Sequence, residues 1–157
     1  MKNLFPTFIG PPAAIGLLML RLVSGLALMF HGFPKIQHPF TWMGADSWAH
    51  PILQALSAFS EFGGGLALIL GLLTPIACFG IVCNMLTAIV AVHLSNGDPF
   101  VSGPGQKGSY ELAAMYLVMA LNFIFTGPGI YSLDFKLFKK SKFEEFITSR
   151  ESQLTFK

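Results

Sequence analysis

The amino-acid sequence predicts an all-α membrane protein whose apolar helices form a four-helix bundle of two antiparallel hairpins. Hydrophobic residues make up 53% of the 157 residues and charged residues only 11%, whereas a soluble domain carries about 25% charge. Four apolar segments approach the length of about 20 residues that a helix needs to cross the hydrocarbon core. Only Thr74 and Pro75 join the second segment to the third, so these two must be antiparallel neighbours.

Each segment has recognisable ends. We expect helices over 13–31, 52–73, 75–94 and 110–126. Pro75 suits the first turn of the third helix, where its missing N–H would be unpaired in any case. The fourth helix is the shortest and stops at the sequence Gly127-Pro128-Gly129. The first apolar run is followed by no small-residue cleavage site, so we expect a retained membrane helix and not a signal peptide.

Positive charge is concentrated after the last apolar segment. Six of the ten lysines and arginines lie from residue 136 onward. Cytoplasmic loops carry an excess of Lys and Arg, and four spans return the chain to its starting side, so we expect both termini to be cytoplasmic. This gives a four-helix transmembrane domain over 1–134 and a basic cytoplasmic tail over 135–157. The tail is either an amphipathic helix on the membrane surface or a partly ordered basic segment.

Ionisable residues inside the apolar segments are the candidates for function, because they are costly in a membrane and seldom face lipid. Arg21 lies near the middle of the first helix and Glu61 near the middle of the second, so we expect them to pair. We expect a second pair between His93 and Glu111 in the outer half of the bundle. The remaining candidates are His31 and Lys35 at a similar depth, Gly64 beside Glu61, and Asn122 on the face of Glu111.

Several short motifs, in this order, resemble the DoxX family of small four-helix bacterial membrane proteins. They are Arg21, His31-Gly32-x-x-Lys35, Glu61 with its following glycines, Gly71-Leu72-x-Thr74-Pro75, His93, Tyr110-Glu111-Leu112 and Gly127-Pro128-Gly129-x-x-Ser132-Leu133-Asp134. The resemblance implies a multi-pass protein of the bacterial inner membrane. Some relatives are linked to redox work, notably the thiosulfate:quinone oxidoreductase subunits DoxD and DoxA. The family fixes the fold better than the function.

A quinone-linked redox subunit is the first functional hypothesis. Histidine titrates near neutral pH and a buried Glu can approach it, so such groups can transfer protons to a quinone. Candidate catalytic residues are Arg21, His31, Glu61, His93 and Glu111. Candidate cofactor-binding residues are Arg21, Lys35, Gly64 and Asn122. The sequence contains no Rossmann fingerprint and no C-x-x-C motif, so electrons would come from a partner oxidoreductase or a bound cofactor.

Two other functions stay open at this point. One is a scaffold or assembly factor for a partner oxidoreductase, in which the polar residues only fix the helix register. The other is a small-solute carrier, in which the polar residues line a path for the solute. Quinone is the favoured cofactor. A carboxylate-bridged metal is disfavoured because the Glu-x-x-His pattern of such bundles is absent. Haem would need His31 and His93 as ligands across the bundle, and two histidines that cap helix ends are the favoured interpretation. Expected partners are membrane lipid, a partner oxidoreductase and further copies of the chain. A net charge of +2 gives no reason to expect nucleic acid.

Overall fold

The computed structural model describes residues 11–44, 46–105 and 108–138, and in these ranges the chain is helical with no β-strand. The helices are α1 (Pro11–Gln37), α2 (Pro51–Leu70), α3 (Thr74–Thr87), a π-helical continuation of α3 (Ala88–Leu94), α4 (Glu111–Thr126) and the short α5 (Leu133–Phe138). Residues 139–157 of the predicted tail lie outside the described residues, and so does the choice between an amphipathic helix and a partly ordered segment there.

Three of these helices are long and apolar enough to cross a membrane. They span Pro12–Gln37, Pro51–Leu70 and Thr74–Leu94, the last being α3 with its π-helical continuation. The fourth, α4, has 16 residues and falls short of a full crossing by length. The described chain is thus an all-helical membrane protein with several apolar helices, and the predicted bundle and the side of its termini remain predictions.

Neighbouring helices in the chain pack against one another, α1 on α2, α2 on α3 and α3 on α4. The α1–α2 contact is the closest, because glycines face each other across it. A Cβ added to Gly25 would lie 2.7 Å from the carbonyl oxygen of Gly65, and one added to Gly65 would lie 2.6 Å from that of Gly25. Small residues allow such backbone approach between membrane helices. This contact also fixes the antiparallel register of α1 and α2.

Helix α1 continues six residues beyond its predicted end at residue 31. Gly32 and Pro34 follow residue 31, and a proline inside a helix removes a hydrogen bond, yet both residues lie inside α1. Tertiary packing prevails here, since a Cβ at Gly32 would lie 2.5 Å from the backbone nitrogen of Phe62. The consequence is functional, because the extra turns carry Lys35 along the surface of α2.

The turn between α2 and α3 is tight and has two left-handed residues, Gly71 with φ 62° and Leu73 with φ 48°. Helix α2 therefore ends at Leu70 rather than at the predicted residue 73, and α3 begins at Thr74. Non-glycine residues rarely adopt positive φ, so Leu73 must be held by its surroundings.

Candidate functional site

A cavity of about 440 Å³ lies between α2 and α3, under the segment that connects α1 to α2. Its walls are mostly apolar and aromatic. The cavity is lined by Leu53, Leu56 and Phe79, which are each more than half exposed, so it opens onto the exposed surface of α2 and α3. If α2 and α3 span a membrane, this exposed surface contacts lipid. A volume of 300–1,000 Å³ is typical of small-molecule sites.

The polar end of the cavity is formed by three side chains from three helices. Lys35 Nζ of α1 lies 2.6 Å from Glu61 Oε1 of α2, and Asn84 Nδ2 of α3 donates to the same oxygen at 2.9 Å. All three residues line the cavity. Glu61 is 5% exposed. The Lys35 side chain is partly buried, and losing one partner of such an ion pair destabilises the fold, because the other charge is left uncompensated.

Two buried oxygens at this end of the cavity have no hydrogen-bond partner among the residues that the structure describes. They are Glu61 Oε2 and Ser60 Oγ. Buried polar groups are nearly always hydrogen-bonded, and an unsatisfied one costs about 1–3 kcal/mol. Both residues line the cavity, so each oxygen is a candidate acceptor for a ligand hydroxyl or amine.

The connection between α1 and α2 covers the polar end. Lys35 Nζ lies 4.5 Å from the ring centroid of Trp42, within the range of a cation–π interaction. Trp42 Nε1 donates to the backbone oxygen of Gln54 at 2.9 Å, and the Gln54 amide donates to Ala49 O and accepts from Met43 N. Gln54 is almost fully buried. This residue, absent from the predicted site, ties the covering segment to α2.

Arg21 lies away from the cavity, at the opposite end of α2. Its guanidinium is fully buried and donates to the backbone oxygens of Leu68 at 3.3 Å and Tyr131 at 2.6 Å. The expected Arg21–Glu61 pair is therefore wrong. The physical reason is the register of the two antiparallel helices, which is set by the contact of Gly25 with Gly65. Arg21 lies four residues before Gly25, so it lies beside Leu68, three residues after Gly65, and not beside Glu61.

Arg21 belongs to a second polar group, which we call the corner cluster: Arg21, Gly71, Ser132 and Asp134. The Asp134 carboxylate is fully buried and accepts from the backbone nitrogens of Leu73 at 2.7 Å and Thr74 at 2.9 Å. It thereby caps the first turn of α3 from another part of the chain, where an anion also suits the helix dipole. The charges of Arg21 and Asp134 interact. The cluster fastens α1, the α2–α3 turn and α5 together.

The other predicted residues do not join either group. His93 Nδ1 lies 2.8 Å from Asp98 Oδ2, so its expected pairing with Glu111 is wrong. Glu111 is exposed at the start of α4, and Asn122 is exposed further along the same helix. None of these three lines the cavity.

His31 and Gly64 also lie outside the cavity lining. His31 is exposed and stacks edge-on against Tyr116, with ring centroids 6.3 Å apart. A Cβ at Gly64 would meet Ile81 Cγ1 at 3.2 Å, so this glycine serves the α2–α3 contact. Of the predicted site residues, Lys35 and Glu61 alone are brought together at the cavity.

Sequence reasoning missed Ser60, Gln54 and Asp134. A signal existed for Ser60, because it lies beside Glu61 in an otherwise apolar segment. Gln54 gave a similar signal seven residues before Glu61, two helical turns away on the same face. Asp134 stood in the motif that ends the family resemblance, but its partners lie about 60 residues away and no local pattern reveals them.

Comparison with known proteins agrees with this membrane architecture. The family model named DoxX matches residues 16–94, which include Arg21, Lys35 and Glu61. An uncharacterized membrane protein of Mycobacterium tuberculosis is 32% identical over 143 residues, covering 84% of this chain and 85% of that protein. The inner membrane protein YqjF of Escherichia coli is 32% identical over 133 residues, covering 80% and 95% of the two chains.

A further relative carries a functional name. CatD of Bacillus subtilis, named as a proposed oxidoreductase, is 28% identical over 134 residues, which is 82% of this chain and 91% of that protein. No solved structure matches the chain significantly. The family match and the two relatives at 32% identity agree with the motifs in the sequence, and on these grounds the chain belongs to the DoxX family of membrane proteins.

Proposed function

We propose that this protein is a quinone-linked redox subunit, and that the quinone headgroup binds in the α2–α3 cavity beside Glu61. The observation that carries the proposal is the unpartnered Glu61 Oε2, buried at the polar end of a cavity that reaches the lipid-facing surface. Quinones reside in the hydrocarbon core, so a site for them needs an opening to lipid and a polar group at its closed end.

The residues present fit a quinone headgroup. The cavity of about 440 Å³ accommodates a substituted ring with the first part of its tail. Phe79 and Trp48 supply aromatic surface, for which stacking against a flat ring is favourable. Lys35 supplies N–H donors for a carbonyl oxygen, and Glu61 supplies an acceptor for a hydroxyl.

When bound, a quinone supplies two-electron chemistry, taking up two electrons and two protons to become a quinol. In the proposed role Glu61 Oε2 exchanges a proton with the ring oxygen, and Lys35 stabilises negative charge next to it. The electrons pass to or from a partner oxidoreductase, as expected from the sequence. The name given to CatD supports redox work in the family.

The proposal includes a topology. We place the chain in the bacterial inner membrane as a four-helix bundle of two antiparallel hairpins, with both termini cytoplasmic. The lysines from residue 136 onward support this orientation. The name of the Escherichia coli relative YqjF supports the location. The cavity and its Lys35–Glu61 pair then lie in the outer half of the membrane.

The first test is the quinone content of protein purified in mild detergent, beside a visible spectrum and a metal analysis. We expect near-stoichiometric quinone, counted in both redox states, in the wild type, and a loss of tenfold or more of the quinol in Glu61→Gln, which lacks the carboxylate acceptor for a ligand hydroxyl. Asp46→Asn, an exposed carboxylate in the connecting segment, is the matched control and should keep its quinone. A folded wild type that contains no quinone and takes none up would refute the proposal.

The second candidate is a scaffold or assembly factor for a partner oxidoreductase. The corner cluster favours it, because Arg21 there contacts backbone oxygens and serves the packing of helices. This alternative predicts that Glu61→Gln leaves the partner's membrane assembly and activity unchanged. Co-purification of the partner with wild type and Glu61→Gln, followed by its oxidoreductase assay, distinguishes the two functions.

A further inference from the structure

We infer that the α2–α3 cavity selects the reduced, hydroxyl-bearing form of its ligand, so that a quinol binds more tightly than the corresponding quinone. The inference rests on the proposed function and specifies which redox state the site is built to hold. It follows from the hydrogen-bonding capacity of two atoms that the fold leaves unsatisfied.

The first atom is Glu61 Oε2. In its ion pair with Lys35, Glu61 is a carboxylate, which has acceptor lone pairs and no donor. Both protein donors at hand, Lys35 Nζ and Asn84 Nδ2, are directed at the other oxygen, Oε1. The free Oε2 therefore requires a donor from the ligand. A quinol hydroxyl provides one, whereas the carbonyl oxygen of a quinone would face the carboxylate with lone pair against lone pair.

The second atom is Ser60 Oγ, which is buried and unpartnered on the next residue of α2. A hydroxyl can accept and donate at once, so Ser60 can accept from a second donor or donate to the oxygen of a hydroxyl bound at Glu61. A Cβ at Gly80 would lie 3.4 Å from Ser60 Oγ, so this hydroxyl lies close to the α3 backbone. Ser60 and Gly80 both line the cavity.

Selective binding of the reduced form has a consequence for electron flow. If the quinol binds tenfold more tightly than the quinone, the reduction potential of the bound two-electron couple rises by about 30 mV. The protein then makes its quinone a better electron acceptor. Such a shift favours the reduction of quinone by a partner, with the quinol held as product before release to lipid.

The test measures binding of three probes that share one ring: decylbenzoquinol, decylbenzoquinone and the dimethyl ether of the quinol. The chain's two tryptophans, Trp42 and Trp48, both line the cavity, so their fluorescence reports occupancy. Titrations are made anaerobically on the full-length protein in detergent. We expect the quinol to bind at least tenfold more tightly than the quinone or the ether, as one hydrogen bond to a charged acceptor provides.

Variants locate the effect. Glu61→Gln should bring the three affinities to within about threefold of one another, and Ser60→Ala should reduce the preference in part. Ser24→Ala is the matched control, since this buried α1 serine donates to Leu20 O and does not line the cavity. It should keep the full preference. Far-UV circular dichroism verifies that each variant is folded.

The outcomes separate this inference from the proposed function. Equal affinities for the three probes, or tighter binding of the quinone, would overturn the inference and leave a quinone site in place. A preference for quinol that persists in Glu61→Gln would also overturn it, because the acceptor would then be elsewhere. If the folded wild type binds none of the probes, both the inference and the proposed function fail.

Discussion

Replacing Asp134 by asparagine should destabilise the protein although the side chain keeps its size. The carboxylate accepts from two backbone nitrogens, those of Leu73 and Thr74. An asparagine has one acceptor oxygen, so its amide nitrogen would face one of these N–H groups. A buried donor left unpaired costs about 1–3 kcal/mol. Loss of an anion at a partly buried helix N-terminus adds up to about 2 kcal/mol. We expect the free energy of unfolding to fall by about 2–4 kcal/mol.

The measurement is reversible unfolding in mixed detergent micelles, followed by circular dichroism. Asp46→Asn, an exposed carboxylate outside both polar groups, is the control and should change stability by less than about 0.5 kcal/mol. A double variant, Arg21→Met with Asp134→Asn, tests the link between the two charges. Its loss should be smaller than the sum of the two single losses, because each single variant leaves the other charge buried alone. An Asp134→Asn protein as stable as the control would refute the capping role.

Three further predictions follow from backbone geometry and cysteine burial. Gly71→Ala should lower the free energy of unfolding by more than about 2 kcal/mol, because φ is +62° at Gly71 and the added methyl would overlap the buried guanidinium of Arg21. The unfolding assay described above measures this loss. Gly25→Ala should lower the thermal midpoint by several degrees because its Cβ would press on α2, whereas Gly16→Ala, which meets nothing within 4 Å, should not. Maleimide should label Cys83, which is exposed and lines the cavity, before the fully buried Cys78. Bound quinone should slow the labelling of Cys83. Equal labelling rates of Cys83 with and without quinone would contradict the position of the cavity.

Much of the helical architecture could be predicted from hydropathy and from the glycine and proline residues at helix ends. The four segments agree with α1, α2, α3 with its π-helical continuation, and α4 to within a few residues at most ends, and Pro75 lies in the first turn of the third helix as expected. The predicted end of α1 at residue 31 was wrong by six residues, because the helix continues to Gln37. A glycine and a proline are strong local stop signals, and they were overridden by the contact of Gly32 with Phe62 on α2. Local sequence cannot report such a contact between helices.

The sequence predicted some of the residues of the site, but it predicted the wrong contacts between them. Lys35 and Glu61 were both candidates, but the sequence paired Glu61 with Arg21, because both stood near the middle of their apolar segments. Depth counted from segment ends is too coarse for this purpose, since one end moved by six residues and antiparallel packing reverses direction. Register depends on the facing glycines Gly25 and Gly65, and a contact between two helices is not visible in either helix alone.

The separation of the two polar groups determines which variant can identify a redox site. Glu61 and Leu68, the residues of α2 at the cavity and at the corner cluster, are seven positions apart, or about 10 Å along the helix. A change at Arg21 removes bonds that hold α1, α2 and the segment before α5 together. Loss of quinone from an Arg21 variant would therefore follow from a disturbed fold as readily as from a missing ligand contact. Glu61→Gln leaves the corner cluster intact and removes the carboxylate from the cavity lining, so this single substitution tests the chemistry of the site.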